Sequence, residues 1–516
     1  MKKERISIFE PGTLLLGIFL AVISAAICMQ IMGQLGSAPN TSLIGAVLIM
    51  IISRIPLIAA KKLRNPERQN YALSIASAAG FTAANCGFIS IATMVLLGRN
   101  DLIIPIAVGA TVGSIIAVFA MGRLFDSKIF PVGGAWPMGQ AVATTIEAGD
   151  EGGKKTFQLL QGLAVGAIAS FFGIPAAGVG IAFIANMITM AALGVGMILR
   201  GYSSQIFNGF EIGESHIAQG VMIGAGVVAL FQIIHTITKK TKKSESQEEE
   251  VFSVSPESTR TTLISSVGLF TLGAILLAII TGAFSDMSIG LSIVWVLFAG
   301  VIAVVVMILV GTASMHSGWA PSFAVVAICL TLGMLIGFPP IPLAVLVSYI
   351  GSVGLPLSDT GIGLKAGWLI RGKGEDKEHE TYGRKQQVLI KQFGVIIGIL
   401  MSLFFGIMLV NNDVIPPMSL FYASTVGEVV YSGLIRELII WAIPGAILQF
   451  AFGSKSVGLM LATGLLINNP IFGITIVSSV ILRRFIGTKH FTVRAPGLIA
   501  GDGLFGFGAS IFRAFF

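Results

Sequence analysis

The sequence predicts an all-α polytopic membrane protein of about 14–16 transmembrane helices, arranged in two repeated halves with broken or re-entrant segments. Three observations carry that prediction. Of 516 residues, 54% are hydrophobic and only 11% charged, against roughly a quarter charged in soluble domains. The charges are gathered into short segments, separated by uncharged stretches of about 20 residues, the length a helix needs to cross hydrocarbon. Short motifs also recur in the same order in both halves.

In chain order, Met1-Lys2-Lys3-Glu4-Arg5 precedes an apolar run and resembles a signal peptide. No small-residue cleavage site follows, so it reads as an uncleaved first helix. Residues 14–31, 102–122 and 261–281 are clean spans, and 157–199 is long enough for two crossings with a break at Gly173-Ile174-Pro175. Lys2, Lys3 and Arg5 before the first span, and Lys61, Lys62, Arg64 and Arg68 after the second, place the N-terminus and that loop in the cytoplasm. Arg123 and Lys128 agree, and if 129–148 also crosses, the first half returns to the cytoplasm at its end. In the second half, basic loops at 371–391 and 483–494 conflict with three intervening crossings. A re-entrant pair over 456–482, broken at Asn468-Asn469-Pro470, removes the conflict.

The expected organisation is a first transmembrane repeat over 1–238, a charged cytoplasmic linker over 239–260 with no binding role, and a second repeat over 261–516. The repeat signal is Ala148-Gly149, Lys154-Lys155, Gln161-Gly162 and Phe171-Phe172-Gly173. It returns as Ala366-Gly367, Arg384-Lys385, Gln392-Phe393-Gly394 and Phe404-Phe405-Gly406, about 230 residues on.

Several function classes drop out. The +8 net charge sits in loops, where the positive-inside rule accounts for it, so no nucleic-acid partner is expected. Cys28, Cys86 and Cys329 are isolated in apolar segments and read as packing residues, with no metal site and no cofactor. Gly149–Thr156 lacks the Ser or Thr of a P-loop after its lysine, so energy must come from a gradient. Clustered acids and a His-Glu-x-x-His pair are missing, which argues against an enzyme, and duplicated halves favour a carrier over a channel.

Three segments depart from plain apolar spans, and irregular backbone at membrane depth marks candidate sites. The first runs from Phe130, Pro131, Gly133, Gly134 and Trp136 to Gln140, where a helix start would face an anionic group. The second runs from Gly351 to Lys365 with Ser358 and Asp359; it is expected to correspond to the first in the repeat. An ionisable residue there is paired or functional, or else caps a helix at the interface. The third is Arg494–Gly508, where Asp502 is the one acid in a glycine-dense run. Glu147, Asp359 and Asp502 are the candidate proton-coupling acids, since desolvation disfavours the charged carboxylate. Glu214, His216 and His316 are secondary candidates for proton relay or for contact with a chelated metal, with His235 behind them.

Taken together these segments resemble the oligopeptide transporter (OPT) superfamily, which includes the yellow stripe-like metal-chelate carriers; the chain looks like a prokaryotic-type member. Phe130-Pro131-Val132-Gly133-Gly134 through Glu147-Ala148-Gly149 is similar to the family's Phe-Pro-x-Gly-Thr-Ala segment leading to Ala-Gly-Glu. Asp359 through Leu364-Lys365-Ala366-Gly367, followed by Arg384-Lys385-Gln386-Gln387, resembles Asp-Leu-Lys-Thr-Gly and Arg-Arg-Gln-Gln. Gly497-Leu498-Ile499-Ala500-Gly501-Asp502 resembles Gly-Leu-Ile-Ala-Gly-Glu. The resemblance implies a fold of about 16 helices in two repeats and proton-coupled symport of oligopeptides, or of a metal–chelator complex, across the cytoplasmic membrane. The implied partners are the substrate, a proton and the bilayer, in a monomer or homo-oligomer. Trp136-Pro137 stands where the family has small polar residues.

Overall fold

The structure is a computed structural model that describes residues 5–36, 45, 49, 64–151, 154–238, 253–317, 320, 322–427, 432–452, 457–488, 491 and 493–515. Among these there is no strand, only an isolated bridge between Phe125 and Phe130. The chain is an all-α polytopic membrane protein. The first half holds α1 (Pro11–Leu35), α2 (Pro66–Leu96), α3 (Ile103–Leu124), α4 (Pro137–Glu151), α5 (Lys154–Phe171), α6 (Ala176–Ile184), α7 (Met187–Gly201) and α8 (Ile217–Thr238). The second holds α9 (Pro256–Thr281), α10 (Ile289–Ser317), α11 (Ser322–Ile336), α12 (Pro340–Gly351), α13 (Gly354–Ile370) and α14 (Lys377–Asn411). It closes with α15 (Pro417–Gly427), α16 (Ser432–Phe452), α17 (Val457–Leu466), α18 (Pro470–Ile486) and α19 (Arg494–Phe515).

Local sequence explains where these helices begin and end. Proline occupies the first turn of α1, α2 and α9, where its missing N–H has no helical partner to lose. Asn65, Ser255 and Asn469 accept bonds from first-turn N–H groups of α2, α9 and α18. Gly36 and Gly282 close α1 and α9 in the left-handed conformation, with φ of 66° and 69°, which a side chain resists. Both α2 and α14 contain a π-helical turn, over Thr82–Phe88 and Ser402–Gly406.

Seven described segments are long and apolar enough to cross a membrane, including α1, α9, α10, and the composite α12–α13 and α14. The α2 and α12–α13 segments are almost wholly buried and form the centre, whereas α9 lies at the rim with Leu272 and Ile279 exposed, as lipid contact requires. Glycine sets the tightest contacts. A methyl group on Gly224 of α8 would collide with the Ala442 carbonyl oxygen of α16, and one on Gly445 with that of Val221. Gly497 and Gly501 of α19 meet the Leu159 and Leu163 carbonyls of α5 in the same way. With no hydrophobic effect between helices in lipid, such close backbone approach supplies the association energy.

Several boundaries differ from expectation. The glycine-dense end is the unbroken helix α19, because its glycines serve close packing and leave the backbone intact. The interruption before Asp359 is confined to residues 352–353, and Asp359 lies inside α13, not at a helix cap. The basic loop at 371–391 shrinks to a turn ending at Asp376, whose carboxylate caps α14, so Lys391 is carried into the bundle. The stretch 157–199 breaks as expected after Phe171 and again before Asn186, which caps α7. The 456–482 break appears between α17 and α18. Lys239–Phe252 of the expected linker falls outside the described residues, and its last residues already belong to α9.

Candidate functional site

Where α2, α13 and α14 meet, the bundle contains a buried ion pair. Asp359 is 1% exposed and Lys391 wholly buried. The Lys391 ammonium donates to Asp359 Oδ2 and, at 3.1 Å, to Ser77 Oγ. Ser77 lies on α2 and its hydroxyl donates to the same carboxylate oxygen at 3.2 Å. The site therefore draws one group from each of three helices. One turn away, Gln387 donates to Ser74 Oγ at 3.0 Å and to the Gly363 carbonyl at 2.6 Å. Gly363 makes the arrangement sterically feasible, since a Cβ there would lie 2.7 Å from Lys391 Cε. Burying two charges costs several kcal/mol each before their attraction is counted, so this pair persists only because each partner satisfies the other.

The first sequence-predicted segment packs directly on α13. Lys365, 5% exposed, donates to the Val132 carbonyl at 2.7 Å and lies 3.5 Å from that of Gly134. Its ammonium also stands 4.7 Å from the Trp368 ring centre. Trp136 is fully buried at φ 37°, an uncommon conformation for a side-chain-bearing residue. Its N–H donates to the Met315 carbonyl at 2.8 Å, and its indole N–H to that of Pro131 at 3.0 Å. The ring fits over Gly361 beside Phe125 and Phe130, and Phe130 in turn fills the space left by Gly311 of α10. Ser358 donates to Ser314 Oγ at 2.6 Å, tying α13 to α10. Trp136→Ala removes this wedge and should destabilise the protein by about 3–5 kcal/mol, read from thermal unfolding of the purified protein.

Phe130, Pro131, Gly134, Trp136, Ser358 and Lys365 thus form one neighbourhood, with Gly133 and Gln140 exposed at its margin, while Asp359 turns to α2 and α14. The helix after the segment begins at Pro137 instead of Gln140. The remaining candidates lie elsewhere. Asp502, on α19, accepts from Ser170 Oγ and, at 2.6 Å, from the Ala177 N–H in the first turn of α6. Its carboxylate is thereby engaged as a cap on a short helix. Glu147 and Glu214 are exposed. His216 Nδ1 lies 2.9 Å from Glu437 Oε2, pairing α8 with α16. His316 ends α10, but its side chain, like that of His235, is outside the described residues. Among the described residues no cluster of three His, Cys, Asp or Glu side chains could hold a metal.

Sequence reasoning missed Lys391, the partner of Asp359, because it counted as loop charge. Its signal was present: Gln387 and Lys391 stand four apart, in step with the glycines at 394 and 398 that face α2.

Residues 12–213 match the family described as OPT oligopeptide transporter protein, the family the three motifs resemble. No curated protein and no solved structure matches the chain.

Proposed function

We propose, starting from that family match, that the chain is a secondary active, proton-coupled transporter of oligopeptides across the cytoplasmic membrane, with its N-terminus in the cytoplasm and no enzymatic activity. The Asp359–Lys391 pair at the crossing of three central helices carries this reading. A carboxylate sealed among helices exchanges protons only by way of a polar route or an opening of the bundle, and protonation abolishes its attraction for Lys391. That links proton occupancy to helix separation, the requirement of a coupled carrier. One proton moving down about 100 mV releases about 2.3 kcal/mol, the energy for uphill movement of substrate. Asp359 is preferred to Asp502, which caps α6, and to Glu147, which is exposed.

Alternating access also asks for two related halves, and helix packing supports a register for them. Asn186 pairs with Asn469, Ile198-Leu199-Arg200 with Ile481-Leu482-Arg483, and Gly220, Gly224 and Gly226 with Gly497, Gly501 and Gly503, 277 to 283 residues apart. Under this register α8 corresponds to α19 and α5 to α16. The observed contacts of α8 with α16 and of α19 with α5 then become equivalent exchanges between halves. The earlier spacing of about 230 residues offers no such equivalence.

Purified protein in proteoliposomes should take up labelled short peptides under a pH gradient, saturably, with collapse on adding a protonophore. Asp359→Asn should abolish gradient-driven uptake while sparing peptide exchange. Uptake of chelated iron in place of peptides would move the substrate assignment to metal complexes, and ohmic currents would reject a carrier altogether.

A further inference from the structure

We infer that a polar seam along α2, α13 and α14 is the proton route between one end of the bundle and Asp359, with Glu67 and His379 at its mouth. The inference presupposes Asp359 as the coupling acid. On α2 the seam is Glu67, Asn70, Tyr71, Ser74 and Ser77, spaced three and four residues apart on one helical face. On α13 and its end it is Asp359, Gly363, Gly367 and Arg371, each four apart, and on α14 it is His379, Glu380, Gln387 and Lys391. Every side chain among these is at least nine-tenths buried.

The contacts form two runs, one from His379 to Tyr71 and one from Glu380 to Asp359. His379 Nε2 lies 3.2 Å from Glu67 Oε2, and Tyr71 donates to Glu67 Oε1 at 2.8 Å. Arg371 donates to both oxygens of Glu380 and, at 3.2 Å, to Gln387 Oε1. Gln387 reaches Ser74, and Lys391 with Ser77 reaches Asp359. Two glycines make the room these side chains occupy between the helices. A Cβ on Gly367 would lie 2.8 Å from Asn70 Nδ2 and collide with Gln387 Oε1, as one on Gly363 would crowd Lys391. The Asn70 amide nitrogen and His379 Nδ1, both buried, have no hydrogen-bond partner among the described residues, so the seam holds spare donor and acceptor capacity.

Its charges nearly cancel. The carboxylates of Glu67, Glu380 and Asp359 face the cations of Arg371, Arg384 and Lys391, with Arg384 3.6 Å from Glu380 and His379 beside Glu67. Three helices packed for stability alone would gain as much from apolar side chains. In the transfer, water at the bundle end gives a proton to the His379–Glu67 pair. Seam hydroxyls each take one proton and release their own as they exchange partners. The final O–H bond forms on Asp359, breaking its ion pair with Lys391, and the reverse sequence restores it.

The test uses full-length protein in proteoliposomes with an internal pH dye, following peptide-linked acidification and gradient-free peptide exchange in parallel. Ser77→Ala and Gln387→Leu should each slow acidification and gradient-driven uptake by about ten-fold or more, while exchange stays within about two-fold. Gln387→Glu should retain coupling, and His379→Gln should shift the pH profile of uptake. Normal acidification in both Ser77→Ala and Gln387→Leu, or loss of exchange in step with acidification, would overturn the seam as a route. Coupled uptake persisting in Asp359→Asn would reject the parent reading and the seam with it. An uncoupled Asp359→Asn beside fully coupled Ser77→Ala and Gln387→Leu would reject the seam alone.

Discussion

Lys391→Ala is expected to destabilise the protein by about 3–5 kcal/mol, because it strands the Asp359 carboxylate, 1% exposed, among packed helices. The loss is mostly the cost of an uncompensated charge, not the net worth of the pair. The double variant Asp359→Asn, Lys391→Ala should therefore recover much of the stability while remaining uncoupled. Thermal unfolding in detergent, followed beside gradient-driven uptake, separates the two effects. If the single variant unfolds at the wild-type temperature, the pair is not a buried, mutually dependent unit. Arg5→Ala serves as the contrast: its bond to Glu378 joins two exposed groups, and such pairs contribute little.

Gly224→Leu should have a comparable effect through sterics. The position of its Cβ is already occupied by the Ala442 carbonyl, and a backbone atom of a neighbouring helix cannot rotate aside. Forced separation of α8 from α16 costs about 1–3 kcal/mol for an overpacked core, and more where a close glycine seam supplies the association energy. The same collision recurs from the other side at Gly445, so Gly445→Leu should behave alike. Gly268→Ala, on the rim helix with open space around it, should be neutral or stabilising by about 0.5–1 kcal/mol. Unchanged or raised stability in all three variants would mean that helix propensity outweighs packing at these glycines.

The helices themselves were legible in advance where apolar composition had to match bilayer thickness. Residues 14–31 fall within α1, 102–122 coincide closely with α3, and 261–281 form most of α9. The breaks at Gly173-Ile174-Pro175 and Asn468-Asn469-Pro470 were legible because proline and helix-capping asparagine act locally. The glycine-rich end stood among the irregular segments, although close helix approach was the other meaning of its glycines, and the structure shows that one. Its meaning depends on the neighbour at Leu159 and Leu163.

The site divides along the same line. Asp359 stood out because an acid in an apolar helix demands compensation, and the Phe130–Gln140 segment because two prolines and three glycines disfavour a regular helix, although its last residues, from Pro137, open α4. Nothing in the sequence said that Asp359 would choose Lys391, 32 residues on, over Lys365, six residues on. Along α13, six residues place Asp359 and Lys365 on different faces, and Lys365 turns to the carbonyls of Val132 and Gly134 instead. The sequence by itself determined the solvent, the apolar helices and the residues too polar to be merely structural. Tertiary structure alone decided their partners, because spans are specified by local composition, whereas a buried charge is neutralised by whichever helix packing brings alongside.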